Sequence, residues 1–597
     1  MIHLALFIRT GGSVRNQSRP RLSRNFTKTL ELFIGIYTFT SYDRFSNTMR
    51  RKESCLMGKT LLKLNLKLIF TSLMFALVVV FTLGAFVVFT GYMAWSPFIH
   101  PINYTAVVEG LEYVEVGLYV LAFCHGMYCS HQKCLLEEIC FIPRPAIVMS
   151  KLWASIIATS TVCLIPTGFI LISAAREGTG PLFTLNALCY TLIRWLCLLL
   201  AANTLGFFLG HLVKNTYSYI LAAPAALLAS YFNETLFDQL FAPVFGYRSK
   251  EGMIAAELFS ATDSHLSAAD MDYPGSRVDL YFLLDALFLV LASLLLIWLL
   301  HLAVSKRLSV KKLAAGALLA GAVVSTVSVY ASLCPPEYRC EDKLFHADYQ
   351  PQPYGITSCE GDFKLSEFSR FSGSFTVQPA GEQGADTLAI RLDGCFTVDE
   401  LVCGGSPAAY TRDGDFLIVG APLEPTTFDI RYHGRVYYRS DIGCVNLFTS
   451  WLSAALPANF AFVPLIDGDF GTKDYDIRVT SGNTVISNLD VTQEGNQYQL
   501  HGKASSICLF AGFLTEYQQG GVTICRARYN TATNYDAVLA YALSLENYLD
   551  PNTFEMKSGA SDLPGKVFLI YGLYGTYGFG SPIVYDDHML LNYGYTK

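Results

Sequence analysis

Cysteine and histidine residues crowd one short stretch of the chain and are its side chains best suited to metal chemistry. Six of them fall within 17 residues: Cys124, His125, Cys129, His131, Cys134 and Cys140. Thiolate and imidazole groups are ligands that zinc and copper accept. Their spacings of five and six residues do not return to one helix face, and no paired Cys-x-x-Cys motif occurs. These residues could form a soft-metal site or could pack as small apolar side chains. Of the two alternatives we predict the second, and therefore no metal site.

Three ionisable residues interrupt apolar segments that are long enough to cross a membrane. Glu115, Arg194 and Asp285 lie in three different segments. A charge within the apolar part of a membrane is costly, so such residues usually face a partner or a cavity. One interpretation is a polar gate or an ion pair. The other places Glu115 and Asp285 at the membrane interface, with Arg194 extending its side chain toward the surface.

A polar stretch over residues 131–145 has the composition of a docking site for another protein. Its apolar residues recur at helical spacing, and prolines end the helix because proline lacks an amide donor and clashes with the preceding turn. We expect a short helix on the cytoplasmic face. The charged and helix-ending residues assigned to it are Lys133, Glu137, Glu138, Pro143 and Arg144.

The sequence Gly58-Lys59-Thr60 resembles the end of a phosphate-binding loop. That loop requires a glycine five residues earlier, so that backbone amides can surround the phosphates, and Glu53 stands there. A basic anchor before the first membrane segment is the simpler interpretation. We therefore predict no ATP site and no cofactor in this chain, and any ATP hydrolysis must come from a partner subunit.

The C-terminal part of the chain contains an even number of cysteines, which in an exported domain permits disulfide bonds. We favour a bond between Cys508 and Cys525, which fall on neighbouring predicted strands, and free buried thiols are the alternative. The eight are Cys334, Cys340, Cys359, Cys395, Cys403, Cys444, Cys508 and Cys525.

Long apolar segments must position the ionisable residues. The chain has 597 residues, 52% of them hydrophobic and only 15% charged, with a mean hydropathy of +0.35. Segments too apolar for a soluble core occur in the first half alone, which indicates a membrane domain followed by a soluble domain. Seven membrane spans are predicted, at residues 68–95, 113–130, 151–174, 184–213, 217–231, 279–302 and 313–333.

Charge divides the chain into three parts and sets its orientation. Residues 1–67 carry 13 Lys or Arg against three Asp or Glu, residues 68–333 carry 13 against 15, and residues 334–597 carry 17 against 31. Basic loops alternate with loops poor in Lys and Arg, which places the N-terminus in the cytoplasm and residues 334–597 outside. The basic excess lies against a membrane segment, so no nucleic-acid partner is predicted. Residues 1–56 are expected to be an upstream misreading of the gene, with a cytosolic tail as the alternative.

Alternation of apolar and polar residues begins after residue 334. It predicts antiparallel strands at 387–392, 415–419, 427–432, 475–480, 506–512 and 521–527, then a helix at 535–549 and a strand at 566–571. The predicted fold class is an α-helical polytopic membrane domain of about seven spans, followed by a β-rich, sandwich-like extracytoplasmic domain.

Residues 60–330 resemble the permease subunits of type 2 ABC transporters. The resemblance rests on the segment with paired acids, apolar residues, prolines and a basic residue, followed by Lys151 near the start of the next span. It implies a homo- or heterodimer of permeases in the lipid bilayer. It also implies a separate ABC ATPase that binds ATP and docks on residues 131–145.

Residues 345–590 resemble the N-terminal β domain of zinc aminopeptidases of the aminopeptidase N type. The resemblance rests on Phe428-Asp-Ile-Arg-Tyr-His-Gly434, Asp474-Tyr-Asp-Ile-Arg-Val-Thr-Ser-Gly482 and Cys508-Leu-Phe-Ala-Gly512. The zinc motif His-Glu-x-x-His of that family is absent, because none of the eleven histidines is followed by Glu. No catalytic residue is therefore assigned and the chain is not expected to be an enzyme. It stops at Lys597 before such a motif would follow, so the domain is expected to be a scaffold or binding domain, or the product of a gene split into two frames.

Together these observations predict the plasma-membrane permease subunit of an ABC-type exporter with a non-catalytic, peptidase-like outer domain. The alternative is a membrane-anchored peptidase-like binding protein, or a fragment of a split membrane aminopeptidase. Residues 131–145 distinguish the two functions, since they matter to the first and are dispensable to the second.

Overall fold

The structure of the chain is a computed structural model. It describes residues 48–95, 104–132, 144–213, 215–230, 232–247, 249–262, 276, 278–305, 309–334, 351–380, 386–439, 445–469, 471–529, 540, 547–549, 556–558, 564–569 and 582–591. The chain forms two compact units, Met1–Asn65 and Leu66–Lys597. In the described residues, the second unit contains most of the helices and all of the strands.

Long runs of Leu, Val, Ala and Phe form the helices of the first half. The described α-helices are α1 (Thr48–Phe70), α2 (Leu73–Trp95), α3 (Tyr104–His131), α4 (Arg144–Ser160), α5 (Leu164–Glu177), α6 (Pro181–Leu212), α7 (Ala222–Leu228), α8 (Asn233–Phe245), α9 (Lys250–Phe259), α10 (Leu280–Ser305) and α11 (Val310–Leu333). Short 3₁₀ turns, Thr161–Cys163 and Thr216–Leu221, precede α5 and α7.

Residues at the ends of several helices explain where they start and stop. Gly178 ends α5 in the left-handed conformation, with φ 66°, which glycine adopts without steric cost. Pro181 opens α6, where its missing amide hydrogen is not needed. The Ser249 and Ser309 side chains accept hydrogen bonds from backbone amides in the first turns of α9 and α11.

The described residues contain fewer helices able to cross a membrane than the seven predicted spans. By length and composition, four described helical segments qualify: Arg144–Arg176, Pro181–Leu212, Leu280–Ser305 and Val310–Leu333. Two bent helix pairs raise this to six if each is one span, Lys59–Phe70 with Leu73–Val88 and Tyr217–Leu228 with Asn233–Phe245. The prediction of seven differs because the second predicted span lies in α3, which is not among them. Glu115, His125 and His131 add polar side chains to the apolar sequence of α3.

Small residues bring helices α3 and α6 into backbone contact. A Cβ atom added at Gly206 would lie 2.1 Å from the carbonyl oxygen of Phe123, and one at Gly126 would lie 2.4 Å from that of Asn203. Gly210 follows Gly206 by four residues, and a Cβ atom there would lie 2.4 Å from Ser130 Oγ and 3.0 Å from the Met127 Cα atom. This spacing of small residues is typical of helix pairs packed in membranes.

Apolar side chains of the helical region point outward while polar ones lie inside. Leu73, Leu164, Val310 and Leu318 are each more than 70% exposed. An extended apolar surface of this kind is unusual for a protein surrounded by water. The distribution therefore agrees with helices that contact lipid.

Twenty-three strands in the described residues follow the helices. They are β1 (Tyr354–Lys364), β2 (Ser369–Pro379), β3 (Thr387–Arg391), β4 (Phe396–Cys403), β5 (Ser406–Pro407), β6 (Tyr410–Asp413), β7 (Phe416–Gly420), β8 (Thr426–Gly434), β9 (Tyr437–Arg439), β10 (Val445–Thr449), β11 (Ala454–Leu456), β12 (Lys473–Thr480), β13 (Thr484–Ser487), β14 (Asp490–Glu494), β15 (Gln497–Ala504), β16 (Leu509–Gly512), β17 (Leu514–Gln519), β18 (Val522–Ala527), β19 (Asn547–Leu549), β20 (Met556–Ser558), β21 (Lys566–Leu569), β22 (Ile583–Val584) and β23 (His588–Leu591).

The strands β1 to β16 build a sandwich-like domain. Eight strands form one sheet in the order β14-β15-β12-β1-β2-β8-β4-β5, and two smaller sheets are ordered β13-β16-β11-β10-β9 and β3-β7-β6. One apolar core joins residues of all three sheets, among them Phe428 and Ile477 of the large sheet, Ile390 of the three-stranded sheet and Leu509 of the five-stranded sheet. The predicted sandwich-like architecture is therefore present, although β1 and β12 pair in parallel rather than antiparallel.

A second, seven-stranded sheet follows in the order β17-β18-β21-β23-β22-β19-β20. Its strands β18, β21 and β23 are parallel, unlike most of the preceding strands. The predicted strand at 566–571 is present as β21. The predicted helix at 535–549 is wrong at its end, because Asn547–Leu549 pairs with β20 and β22 as a strand; most of its earlier residues lie outside the described ones.

Candidate functional site

Glu115, Arg194 and Asp285 converge inside the helical region, and we call them the ion triplet. They project from α3, α6 and α10. The Arg194 Nη1 atom lies 3.1 Å from Asp285 Oδ2, and its Nε atom lies 4.0 Å from Glu115 Oε2. The Arg194 Nη2 group also donates to the backbone carbonyl of Thr262. One guanidinium thus links three helices and Thr262, which lies three residues after the end of α9.

Burial of the ion triplet distinguishes the two interpretations of these residues. Glu115 is 3% exposed, Arg194 6% and Asp285 9%. An arginine that extended to a membrane surface would be much more exposed. Ionised groups persist in such surroundings when they are paired and hydrogen-bonded, and removing one partner leaves a buried charge uncompensated. The contacts are those of the ion-pair interpretation.

A second polar network lies between α3, α4 and α6. His125 Nδ1 lies 3.0 Å from Ser155 Oγ and 3.2 Å from Asn203 Oδ1. The Asn203 amide donates to Thr159 Oγ1 at 2.9 Å, and Ser155 donates to Asn203 at 2.9 Å. All four residues are fully buried. The sequence interpretation missed Ser155 and Asn203, although isolated polar residues in long apolar runs are a signal of hydrogen bonds between helices.

The cysteine and histidine cluster is only partly visible. Cys129 Sγ lies 3.8 Å from His125 Nε2, and His131 Nε2 lies 2.9 Å from the carbonyl oxygen of Gly210. Cys134 and Cys140 lie outside the described residues. Within the described part of the chain, no group of three His, Cys, Asp or Glu side chains is arranged to hold a metal ion.

The predicted ATPase-docking segment is mostly outside the described residues. Lys133, Glu137, Glu138 and Pro143 fall there, so their placement remains a prediction. Arg144 is exposed at the first position of α4. Seven residues on, the Lys151 amine donates to the backbone carbonyl of Gln132 at 2.6 Å, which joins α4 to the residue that follows α3.

The large sheet carries a polar trough on its outward face. The trough encloses about 520 Å³. Arg431 pairs with Glu400 at 3.2 Å and Arg478 with Asp362 at 3.3 Å. Small side chains of β2 form its floor, between longer charged ones on the flanking strands. Exposed pairs contribute little to stability, so the charged groups of the trough are available to a polar ligand. Its charged and polar lining includes Glu360, Asp362, Ser372, Ser374, Asp429 and Asp476.

The predicted disulfide bond between Cys508 and Cys525 is wrong. Both cysteines are free and buried. Cys508 immediately precedes β16 of the five-stranded sheet, whereas Cys525 lies in β18 of the seven-stranded sheet. The Cys525 thiol instead contacts Glu516 Oε1 at 3.7 Å on the neighbouring strand. Burial raises the pKa of both thiols, which disfavours the reactive thiolate.

The described histidines of the β region are engaged separately. His433 Nδ1 donates to Asp399 at 2.9 Å on the exposed face of the large sheet. His588 is fully buried, and its Nδ1 atom donates to Asp587 at 2.7 Å. Burial alone would raise the pKa of Asp587, but hydrogen bonds from His588 and Asn488 lower it below its usual value. These pairs lie on different sheets, so they do not form one site.

Comparison with known proteins finds similar solved structures but no matching sequence family. No family model matches it, and no curated protein matches it. The chain is similar to native leukotriene A4 (LTA4) hydrolase from yeast, at 12% identity and a TM-score of 0.28, over 40% of this chain and 41% of that chain. It is also similar to an M1 zinc metallopeptidase from Deinococcus radiodurans, at 10% identity and a TM-score of 0.27, over 39% of this chain and 60% of that chain. The chain thus spans less than two thirds of the length of either protein.

Proposed function

We propose that the chain is the membrane-spanning permease subunit of an ABC-type exporter, which works as a homo- or heterodimer with a separate ATPase. The observation that carries the proposal is the ion triplet. Buried ionisable residues that join several apolar helices typically mark a transport pathway or a gate. A helix bundle that served only to anchor an outer domain would not need such a triplet between its helices.

The distribution of side chains supports the same proposal. Apolar residues cover the outside of the helices, and the polar network around His125 and Asn203 lies within them. ATP would be bound by the partner subunit, and residues 131–145 would form the docking helix for it. The expected location is the plasma membrane, with the N-terminus in the cytoplasm and the β region outside.

In this proposal the β region is a non-catalytic binding domain. The trough on its large sheet offers guanidinium, carboxylate and hydroxyl groups to a polar ligand. The same trough favours the second candidate function, a membrane-anchored peptidase-like binding protein or part of a split membrane aminopeptidase. In that case the helices would serve as an anchor and residues 131–145 would be dispensable.

Photo-crosslinking at position 138 tests the proposal. A photoreactive amino acid placed at Glu138 in the full-length chain should form an adduct with a nucleotide-binding ATPase in intact membranes. The matched control carries the same amino acid at Asp386 in the β region. The absence of an ATPase adduct at position 138, with normal membrane levels of the chain, would favour the anchor function instead.

A further inference from the structure

The first residues of α10 contact the β region through two aromatic rings tilted against each other. The rings of Tyr281 and Tyr437 lie 3.6 Å apart, and the Arg435 guanidinium lies 3.7 Å above the Tyr281 ring. Arg435 is held from behind by Glu367 at 3.1 Å. We call Tyr281, Arg435 and Tyr437 the tyrosine contact. Each is at most 6% exposed, so the contact is fully formed and excludes water.

The first turn of α6 makes a second contact with the β region. The Phe183 ring lies 4.7 Å from Phe513 and 4.5 Å from Tyr529. The Tyr529 hydroxyl accepts a hydrogen bond from the Gly180 amide at 2.8 Å. We call Phe183, Phe513 and Tyr529 the phenylalanine contact. Apolar residues of α5 and α6 complete it, namely Ile170, Ala174 and Ala187.

Both contacts fall on helices that carry the ion triplet. Asp285 lies one turn along α10 from Tyr281, about 6 Å at 1.5 Å per residue. Arg194 lies about three turns along α6 from Phe183, about 16 Å by the same rise. A hydrogen-bonded helix moves as a rigid element over such distances, so a displacement at its outer end reaches the charged residue.

From this arrangement we propose that the β region controls the ion triplet: its two contacts on the outer ends of α6 and α10 set the distance between Arg194 and Asp285. Movement of the β region, for example when a polar ligand fills the trough, changes the separation of the two helices and opens or closes the pair. Because the contacts are on two different helices, a tilt of the β region moves one helix relative to the other.

The contacts are not required merely to tether the β region. Helix α11 already leads into it along the chain, and the Tyr281 hydroxyl, itself part of the tyrosine contact, donates to the Leu333 carbonyl at the end of α11 at 2.7 Å. The Lys250 amine donates to the next carbonyl, that of Cys334, at 2.9 Å. The tyrosine and phenylalanine contacts therefore add a defined orientation to an existing attachment.

Cys197 provides a natural reporter of the separation between α6 and α10. It lies three residues after Arg194, is buried, and its thiol donates to the Ala286 carbonyl of α10 at 3.7 Å. A small, membrane-permeant maleimide is applied to the full-length chain in membranes, and labelling of the Cys197 peptide is followed by mass spectrometry. We expect Arg435→Ala and Tyr529→Phe each to increase the labelling rate at least fivefold.

The matched control is Lys503→Ala, which removes an exposed cation from the same β region, outside the trough and without touching a helix. It should leave the labelling rate unchanged. Tyr529→Phe removes only the hydroxyl oxygen and is therefore the milder change. If Arg435→Ala unfolds the β region, the labelling rate of Tyr529→Phe tests the proposal. Unchanged labelling in Tyr529→Phe, or equal acceleration in Lys503→Ala, would overturn the proposal.

Thermodynamic reciprocity gives a second measurement, hydrogen exchange at the contacts, which a passive attachment of the β region would leave unchanged. If the contacts and the ion triplet are coupled, breaking the triplet must also loosen the contacts. Asp285→Asn should increase hydrogen exchange at least fivefold in the peptide that contains the Gly180 amide, whereas Glu251→Gln, an exposed position on α9, should not. Unchanged exchange in Asp285→Asn would refute coupling. This inference rests on the proposed transport function for its biological purpose. Both experiments measure the coupling itself, without a transport assay. The coupling and the transport function can therefore fail separately.

Discussion

Replacing Arg194 by leucine should destabilise the helical region more than almost any other single change. The guanidinium lies 3.1 Å from Asp285 and 4.0 Å from Glu115, and all three side chains are buried. Arg194→Leu leaves both carboxylates without their cation, and breaking a buried pair in this way costs about 3–5 kcal/mol. At about 2–4 °C per kcal/mol for a domain of this size, the expected fall in Tm is about 6–20 °C.

Thermal unfolding of the purified full-length chain in mild detergent, followed by size-exclusion chromatography, measures this change. Arg176→Leu is the matched control, because Arg176 is exposed at the end of α5 and its loss should shift Tm by less than about 2 °C. A triple variant with Arg194→Leu, Glu115→Gln and Asp285→Asn should recover much of the loss, since no uncompensated charge remains. The reasoning is refuted by a wild-type Tm for Arg194→Leu, or by a triple variant no more stable than the single one.

Three further outcomes are expected. Reporter fusions after Lys312 and after Cys340 should report opposite sides of the membrane, and the same side for both would contradict the proposed orientation. Purified full-length chain should contain no stoichiometric zinc and cleave no aminoacyl reporter substrate; about one zinc per chain together with chelator-sensitive peptidase activity would make it an enzyme. Cys508 and Cys525 should be alkylated after unfolding without reductant, because both are free, whereas resistance to alkylation until reductant is added would restore the disulfide.

Alternation was the most informative pattern in the β region. Strands β3, β7, β8 and β12 match predicted ones within two residues because one face of each is buried and the other is not. The long strands β1 and β2 were not predicted. Their pattern is weakened by glycines at the centre, where Gly361 and Gly373 face each other across the two strands. A Cβ atom at Gly373 would lie 2.2 Å from the Glu360 carbonyl oxygen, so only glycine fits at this position. The same glycine interrupts the alternation of apolar and polar residues.

Residue types in the helical region identified the ion triplet members but not their partners. Arg194 and Asp285 are 91 positions apart, and only the packing of α6 against α10 brings them together. His125 was considered as a metal ligand because cysteines surround it in the sequence. In the structure its neighbours are Ser155 and Asn203, from helices that the sequence could not place beside α3. The disulfide prediction failed for a related reason, since neighbouring strands in sequence belong to different sheets.

ATP hydrolysis that co-purifies with the full-length chain is the most direct test of the proposed permease function. The chain is purified from membranes in mild detergent through a tag, with wild type compared to the double variant Glu137→Lys, Glu138→Lys. Two charge reversals at a small interface should weaken binding at least several-fold. We expect vanadate-sensitive ATP hydrolysis with the wild type and its loss with the double variant, at equal membrane levels of the two chains. Purification of the intact wild-type chain without any ATP hydrolysis, or full activity of the double variant, would contradict the account.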